Sequence, residues 1–529
     1  MMRPKIKRSR TMRGLRFFAN RNLGSFKRSW FFVDILKCSF SFLKKGMNVY
    51  FSLFVLGLGT NLISCEPLEA FEVNTHRQLT EKANEVIGPS LDAYLIDNLG
   101  VEGGLNASFN GMTARQWMVE GSETEDESLR PARHFHDPIS NSGLGGFSSA
   151  IDWSLRPVGD QFPGGPWSWN DAREYYFRAL TSPTKAERDE NWGKTFRALG
   201  QVMHLLQDMA SPAHVRNDPH LSFFGFGDDD GIHDYMEKQS VSSYLGGGAI
   251  GPDPSILQQV GATHSEKPVS NLFDHNINTT GLNPEATLGG QSGLAEYTNA
   301  NFFSDDTVAG QNKFTPPHPS VAELVPATTI PFGLQYVTLS RLGSPSELKA
   351  RVAKYTGNQS FSKFRLTNLE LDLLNQLRLD DLVYEAQAIN LIPRAVGYSA
   401  AVLDYFFRGD VETTAVFHVV SHFVALLPGG GVVCDETPVF EWGHLEFGFD
   451  VPASLGYDGM TAVYYDDKNK NRIKIPEESF GVIPLNQIPA NQPVPWYVVL
   501  DGPMGPGAKE ERAIVAKKHE AEWVFSCDH

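Results

Sequence analysis

Cysteine is scarce in this chain: four in 529 residues. A disulfide-stapled scaffold is therefore excluded. Cys38 and Cys65 lie in the first 65 residues. Cys434 and Cys527 flank the last hundred, where they stand as either one disulfide or two thiols. No glycine loop of the nucleotide-binding kind follows a strand, so a nucleotide cofactor is not expected. There is no Ser-His-Asp signature and no internal repeat. Basic residues are also short outside the N-terminus. Residues 1–46 hold 13 of the 46 Lys and Arg but one of the 62 Asp and Glu, which leaves the remainder at −28. Such a body does not attract nucleic acid by bulk charge. No apolar run is long enough to read as a membrane-spanning helix. The apolar stretch at 47–65 follows Lys44 and Lys45 and has the length of an export signal.

What the chain does have is histidine and carboxylate at metal-ligand spacing. His204 and Asp208 are four apart, so on a helix they project from one face. His214 follows on the turn after Pro212, and His233 and Glu237 repeat the i, i+4 pairing. Upstream, Arg133, His134, Phe135, His136, Asp137 and Pro138 form a compact turn, preceded by the acidic run Glu120 to Glu127. His76 sits in the first turn of a helix that Asn74 or Thr75 can cap. Imidazole and carboxylate on shared helix faces are the donor set of borderline divalent metals, zinc above all. One such pair alone is as often a hydrogen-bonded core histidine; two pairs with His214 between them favour the metal.

In this order the residues resemble the zinc-dependent phospholipase C family and its sister group, the single-strand nucleases. Phe71, His76, Asp126, His134, His204-x3-Asp208, x5-His214 and His233-x3-Glu237 follow the family's ligand order over roughly residues 71–408. The turn at His134 and the closing Glu237 resemble the phospholipases. The five-residue offset from Phe71 to His76 resembles the nucleases. The resemblance implies a mainly α, multi-helix domain and up to three zinc ions. Asp126, His134, His204 and Asp208 would hold one. His76 and the Phe71 amine would share Asp208 for a second, and His214, His233 and Glu237 would hold a third. Asp126 would orient or deprotonate the attacking water. It lies only eight positions before His134, so Glu123 and Glu125 are substitutes for it. His136, Asp137 and His220 are candidates to support ligating histidines. Arg216 and Asn217 either meet a phosphate oxygen or form a solvated turn.

The N-terminus admits two processing sites. Leu62, Ile63, Ser64 and Cys65 resemble a lipoprotein box, which places the chain in a bacterial cell envelope with Cys65 acylated. Leu68, Glu69 and Ala70 resemble a signal-peptidase site that frees the Phe71 amine. The domain plan is a basic leader at 1–46, an export signal at 47–70, a helical domain at 71–410 with an irregular insertion at 245–343, and a β-rich domain at 430–529. Helices are expected at 170–180, 187–209, 344–354 and 366–409. The loop at 221–231 carries three Phe that either touch lipid or pack on the core.

His418 and His422 lie in a Val-rich run read as strand, as core histidines. From Val432 short β-rich runs separated by Gly, Pro and Asn point to a β-sandwich-like C-terminal domain. There Asp467, Asn469, Asn471 and Glu478 have the spacing of half a calcium loop, although Arg472 stands where its Gly belongs, which favours an Asn-rich turn. The expected substrate is a phospholipid met transiently at a membrane surface. A single-stranded nucleic acid is the alternative, and a non-catalytic, metal-stabilised surface lipoprotein is another.

Overall fold

Several helices begin where serine, threonine or aspartate caps them. Thr113 and Gln116, Ser168 and Asp171, and Thr184 and Glu187 form reciprocal capping boxes at the starts of α2 (Ala114–Thr124), α4 (Trp169–Thr181) and α5 (Lys185–Asp208). The computed structural model describes residues 73–527 apart from 128–129, 220–230, 259–266, 276–291, 309–318, 320–322, 327–335, 340–349, 358–375, 431, 477–480 and 505–510. The lipoprotein box with Cys65, Phe71, His220, Glu478 and most of the Phe-rich loop lie outside the described residues.

Helix α5 is the axis of the first domain. Every residue from Ala198 to Asp208 is buried, so its C-terminal half is enclosed on all sides. Around it pack α1 (Val73–Ala93), α2, α4 and the long α9 (Asp381–Phe406), with Trp153, Trp169, Tyr176, Phe196 and Phe406 as the largest contributors to one apolar core. Among the described residues the remaining α-helices are α3 (Ala150–Ser154), α6 (Gly231–Glu237), α7 (Leu294–Asn301) and α8 (Asp305–Val308), and strands β1 (Ser108–Phe109) and β2 (Met112–Thr113) form a small antiparallel pair.

Of the two later expected helices, residues 344–349 and 366–375 lie outside the described residues, and the described parts need correction. Ala353–Tyr355 is strand β5, with alternate residues buried, in a four-stranded antiparallel sheet with β3 (Leu324–Pro326), β4 (Tyr336–Leu339) and β6 (Leu377–Arg378). The final helix starts at Asp381 rather than before, because the Asp380 carboxylate accepts the Val383 N–H. Part of 245–343 is built into the core: all eight residues of α7 are buried, whereas Gly246, Gly247 and Gly248 are exposed.

The C-terminal part is a β-sandwich, as expected. Strand β14 (Arg512–Cys527) belongs to both layers. Its first ten residues pair antiparallel with β13 (Val494–Pro503), which continues to β10 (Met460–Asp466) and β11 (Arg472–Lys474). Its last six pair parallel with β7 (Glu412–Leu426), which carries β8 (Val432–Pro438) and β9 (Trp442–Asp450); β12 (Val482–Pro484) pairs with β9. Strand alternation then does two jobs. Trp496, Val498 and Leu500 face Phe417, Leu445 and Ile483 between the layers, whereas Tyr497 and Val499 join the helical core. Arg472 fastens this face. It forks onto Asp466, donates to the Leu180 carbonyl at 2.6 Å and stacks over Tyr497.

Asp467 holds its own turn. Its carboxylate accepts the N–H groups of Asn469 and Asn471, both at 2.8 Å, and the Asn471 amide. Burial would raise its pKa, but these turn donors outweigh it and hold it below the ordinary value. This is the Asn-rich turn. His418 and His422 are on a strand, yet not in the core: His422 is exposed and His418 meets Glu446 at the surface at 2.9 Å.

Cys434 and Cys527 form a disulfide across a sequence separation of 93, tying β8 to the end of β14. Cys434→Ser should lower stability by up to about 4.5 kcal/mol, the loop-closure value for a span of that length. Thermal melts with and without reductant check this, and identical melting points would show that the bond contributes nothing. Among the described residues no helix is long and apolar enough to cross a membrane.

Candidate metal centre

Five segments converge at the buried end of α5. Helix α1 brings His76, the turn after α2 brings Asp126, and a short 3-10 turn at Pro131–Arg133 delivers His134. Helix α5 supplies His204 and Asp208, and His214 opens the turn beyond it. All six are buried.

Asp208 stands between two sets of imidazoles. Its Oδ2 lies 3.0 Å from His134 Nδ1 and 3.4 Å from His204 Nε2. Its Oδ1 lies 3.3 Å from His76 Nε2 and 3.5 Å from His214 Nδ1. Asp126 Oδ1 is 3.5 Å from both His134 Nδ1 and His204 Nε2. Two three-residue groups thereby place a donor atom from each member within 4.8 Å of the others: His76, His204 and Asp208, and Asp126, His134 and His204. The His76 and His204 rings stack at 3.7 Å. Neither carboxylate oxygen of Asp126 or of Asp208 has an aligned hydrogen-bond donor. Two buried carboxylates without donors are costly unless positive charge stands beside them. The donor set of imidazole nitrogen and carboxylate oxygen fits a divalent cation at that place.

The far sides of the rings are held. His204 Nδ1 donates to the Ser122 carbonyl at 2.7 Å, which turns Nε2 toward the carboxylates. His76 Nδ1 donates to Gln207 Oε1 at 2.8 Å, and the Gln207 amide is itself fixed by Thr80 and Ser399. Such partners set tautomer and aim. For His204, burial opposes charging, but Asp126 and Asp208 outweigh it and hold its pKa well above the ordinary value. For Asp208, burial is likewise outweighed, here by His214, His204 and His134, and its pKa falls well below the usual carboxylate range. His76 is lowered, by burial first and by the neighbouring His204 second.

The remaining site expectations divide. His233 is buried and its ring meets His214 edge-on at 5.4 Å. Glu237 is exposed at the last position of α6, so among the described residues His214, His233 and Glu237 are not gathered as a third set. Of the substitutes for Asp126, Glu123 is part-exposed beside Arg77, whereas Glu125 is buried against Arg130 and Trp153. Neither takes the place of Asp126 among the donors.

His136 supports the site through its backbone: its N–H donates to the His214 carbonyl at 3.0 Å, while its ring lies 2.9 Å from Asp274. Asp137 holds its own turn by accepting from Ile139 N–H and Ser140 Oγ. Arg216 is buried, donates to the Asn299 carbonyl and has a pKa lowered to about 9, mainly by burial. It is a strut between the His214 turn and α7 rather than a surface contact for phosphate. Asn217 takes a left-handed conformation and reaches Ser142, so it too serves a turn.

Gln207 and Asp274 carry no sequence signal as site residues. A polar residue at an otherwise apolar helix position was the only hint of Gln207, and Asp274 lies in the stretch expected to be an irregular insertion.

No family model and no curated protein matches the chain. Neither of two structural likenesses bears on the site, which rests on its own donor atoms. Among solved structures the chain is similar to the alpha toxin of Clostridium absonum, at 11% identity over 85% of this chain and 96% of that one, with a TM-score of 0.26. It is also similar to the alpha-toxin from an avian strain of Clostridium perfringens, at 12% identity, the same coverage and a TM-score of 0.21.

Proposed function

We propose that this chain is an exported zinc-dependent phosphodiesterase that removes the head group of a glycerophospholipid in the manner of a phospholipase C. The observation that carries the proposal is the two-sided presentation of Asp208, with His134 and His204 at one oxygen and His76 and His214 at the other. A carboxylate so placed suits a bridge between two cations. Bound zinc would supply positive charge for a phosphodiester and lower the pKa of a water to near neutrality. Asp126, His134, His204 and Asp208 would hold one ion, and His76 with Asp208 a second, joined by the Phe71 amine once the leader is removed.

Asp126 is the proton acceptor in this reading. Its Oδ1 faces the histidines, and its Oδ2 has no donor. Acceptance of a proton at Oδ2 from the attacking water is general base catalysis. The −28 balance of the chain beyond residue 46 supports a lipid head group over a polyanionic nucleic acid.

A paired assay tests this. Purified protein should release phosphocholine from phosphatidylcholine vesicles and lose that activity in chelator, with single-stranded DNA left intact. Chelator-sensitive DNA cleavage without lipid turnover would move the chain to the nuclease reading. Silence toward both substrates, with chelator only lowering the melting temperature, would make the metal structural.

A further inference from the structure

We propose that Glu125 is a positioning residue that orients His134 for metal through its outer nitrogen. This rests on the metal reading of the same site. His134 turns Nδ1 toward Asp208 and Asp126, at 3.0 and 3.5 Å. An imidazole that offers Nδ1 to a cation must carry its hydrogen on Nε2. That Nε2 is buried and has no hydrogen-bond partner, and Glu125 Oε1 lies 3.8 Å from it. A closer approach of less than one ångström, on the order of the shift between an apo and a loaded site, makes it a hydrogen bond.

Glu125 is itself immobilised. Oε1 accepts the Trp153 indole N–H at 2.9 Å, and Oε2 accepts from Arg130 Nη2 at 2.5 Å. Arg130 is anchored in turn by Gln161, Gln201 and the carbonyls of Pro163 and Gly165. The other rings differ. His204 rests its outer nitrogen on a backbone carbonyl and His76 rests its own on a neutral amide. Among these outer partners Glu125 alone is an acid. A carboxylate behind a ligating histidine fixes its tautomer and raises its basicity, and its loss typically weakens metal binding about 10- to 100-fold.

The test is zinc affinity by chelator competition, with the visible spectrum of the cobalt-substituted protein as a second readout. Glu125→Gln keeps the shape but removes the charge. It should bind zinc about 10- to 100-fold more weakly and shift the cobalt bands. Glu125→Asp keeps the charge beside Arg130 but draws it back from His134. It should fold and also bind zinc more weakly, which guards against a glutamine variant that fails to fold. The deciding arm is a double-mutant cycle: in a His134→Ala background Glu125→Asp should cost zinc affinity nothing further. Wild-type affinity and spectrum in both variants, or an undiminished loss in the His134→Ala background, overturns the inference while leaving the metal site intact. A wild-type chain that holds no zinc overturns the metal reading, and this inference with it.

Discussion

Asp208→Asn should strip the centre of its metal. The substitution keeps the volume but removes the one charge that faces four imidazoles, and it points an amide N–H at rings that must themselves present lone pairs. Loss of a partner behind a ligand costs about 10- to 100-fold in affinity, so loss of a carboxylate inside the donor set should exceed that, and phosphodiester hydrolysis should vanish with it. Metal analysis after dialysis reads the first effect, and phosphocholine release the second. The metal-free protein should also lose stability, with a defined pH dependence. His204 has a raised pKa, so its pairing is fully present below its ordinary value of 6.5 and fades as pH rises through the raised one. Asp208 has a depressed pKa, so its contribution is fully present above its ordinary value of 3.8 and is lost as pH falls through the depressed one. The variant's deficit should therefore be largest between those two values. Zinc content equal to wild type would rule out Asp208 as the bridge.

Local patterns carried much of this architecture. The i, i+4 pair on α5 is visible in sequence because helix period puts both residues on one face, and apolar spacing placed the ends of α4 and α5 within two residues. Short β runs after Val432 were enough for a sandwich. What sequence spacing cannot convey is which distant atoms come to lie behind each ligand. Gln207 shares α5 with Asp208, but its role depends on His76 lying 131 residues away. Asp274 meets His136 across 138 residues, from a stretch whose Gly, Pro and Asn content hides that it is packed inward.

Period also misleads where burial is one-sided. Residues 353–355 sit in a short sheet whose partner strands fix them, and His418 and His422 follow a strand pattern whose apolar neighbours do not all face inward. Glu237 matches its motif in the sequence, yet it ends a helix of seven residues and faces solvent.

Gly200→Ala should be among the most damaging single changes outside the ligand set, although alanine is the better helix former. Helices α2 and α5 cross with almost no separation at Gly121 and Gly200. A Cβ at Gly200 would fall 2.0 Å from the Met118 carbonyl oxygen, and one at Gly121 2.0 Å from the Arg197 carbonyl oxygen. Both obstacles are backbone, so no rotamer change relieves them and the helices must part. Overpacking of this kind costs roughly 1–3 kcal/mol and occasionally more. The separation also reaches the centre. Ser122 on α2 holds His204 through its carbonyl at 2.7 Å, and Asp126 hangs from the end of the same helix. Parting the helices by about one ångström breaks that hydrogen bond and withdraws Asp126 from His134 and His204. Gly200→Ala should thus lower both the melting temperature and the zinc affinity, although the residue touches no ligand. Gly193, seven residues earlier on α5, faces the half-buried Trp117 indole rather than backbone, so Gly193→Ala disturbs a side chain held by the Phe109 carbonyl without parting the helices; it serves as the control and should leave zinc affinity unchanged. Equal effects of the two substitutions would mean that helix propensity or general packing, rather than the closeness of the α2–α5 crossing, sets the geometry of the centre.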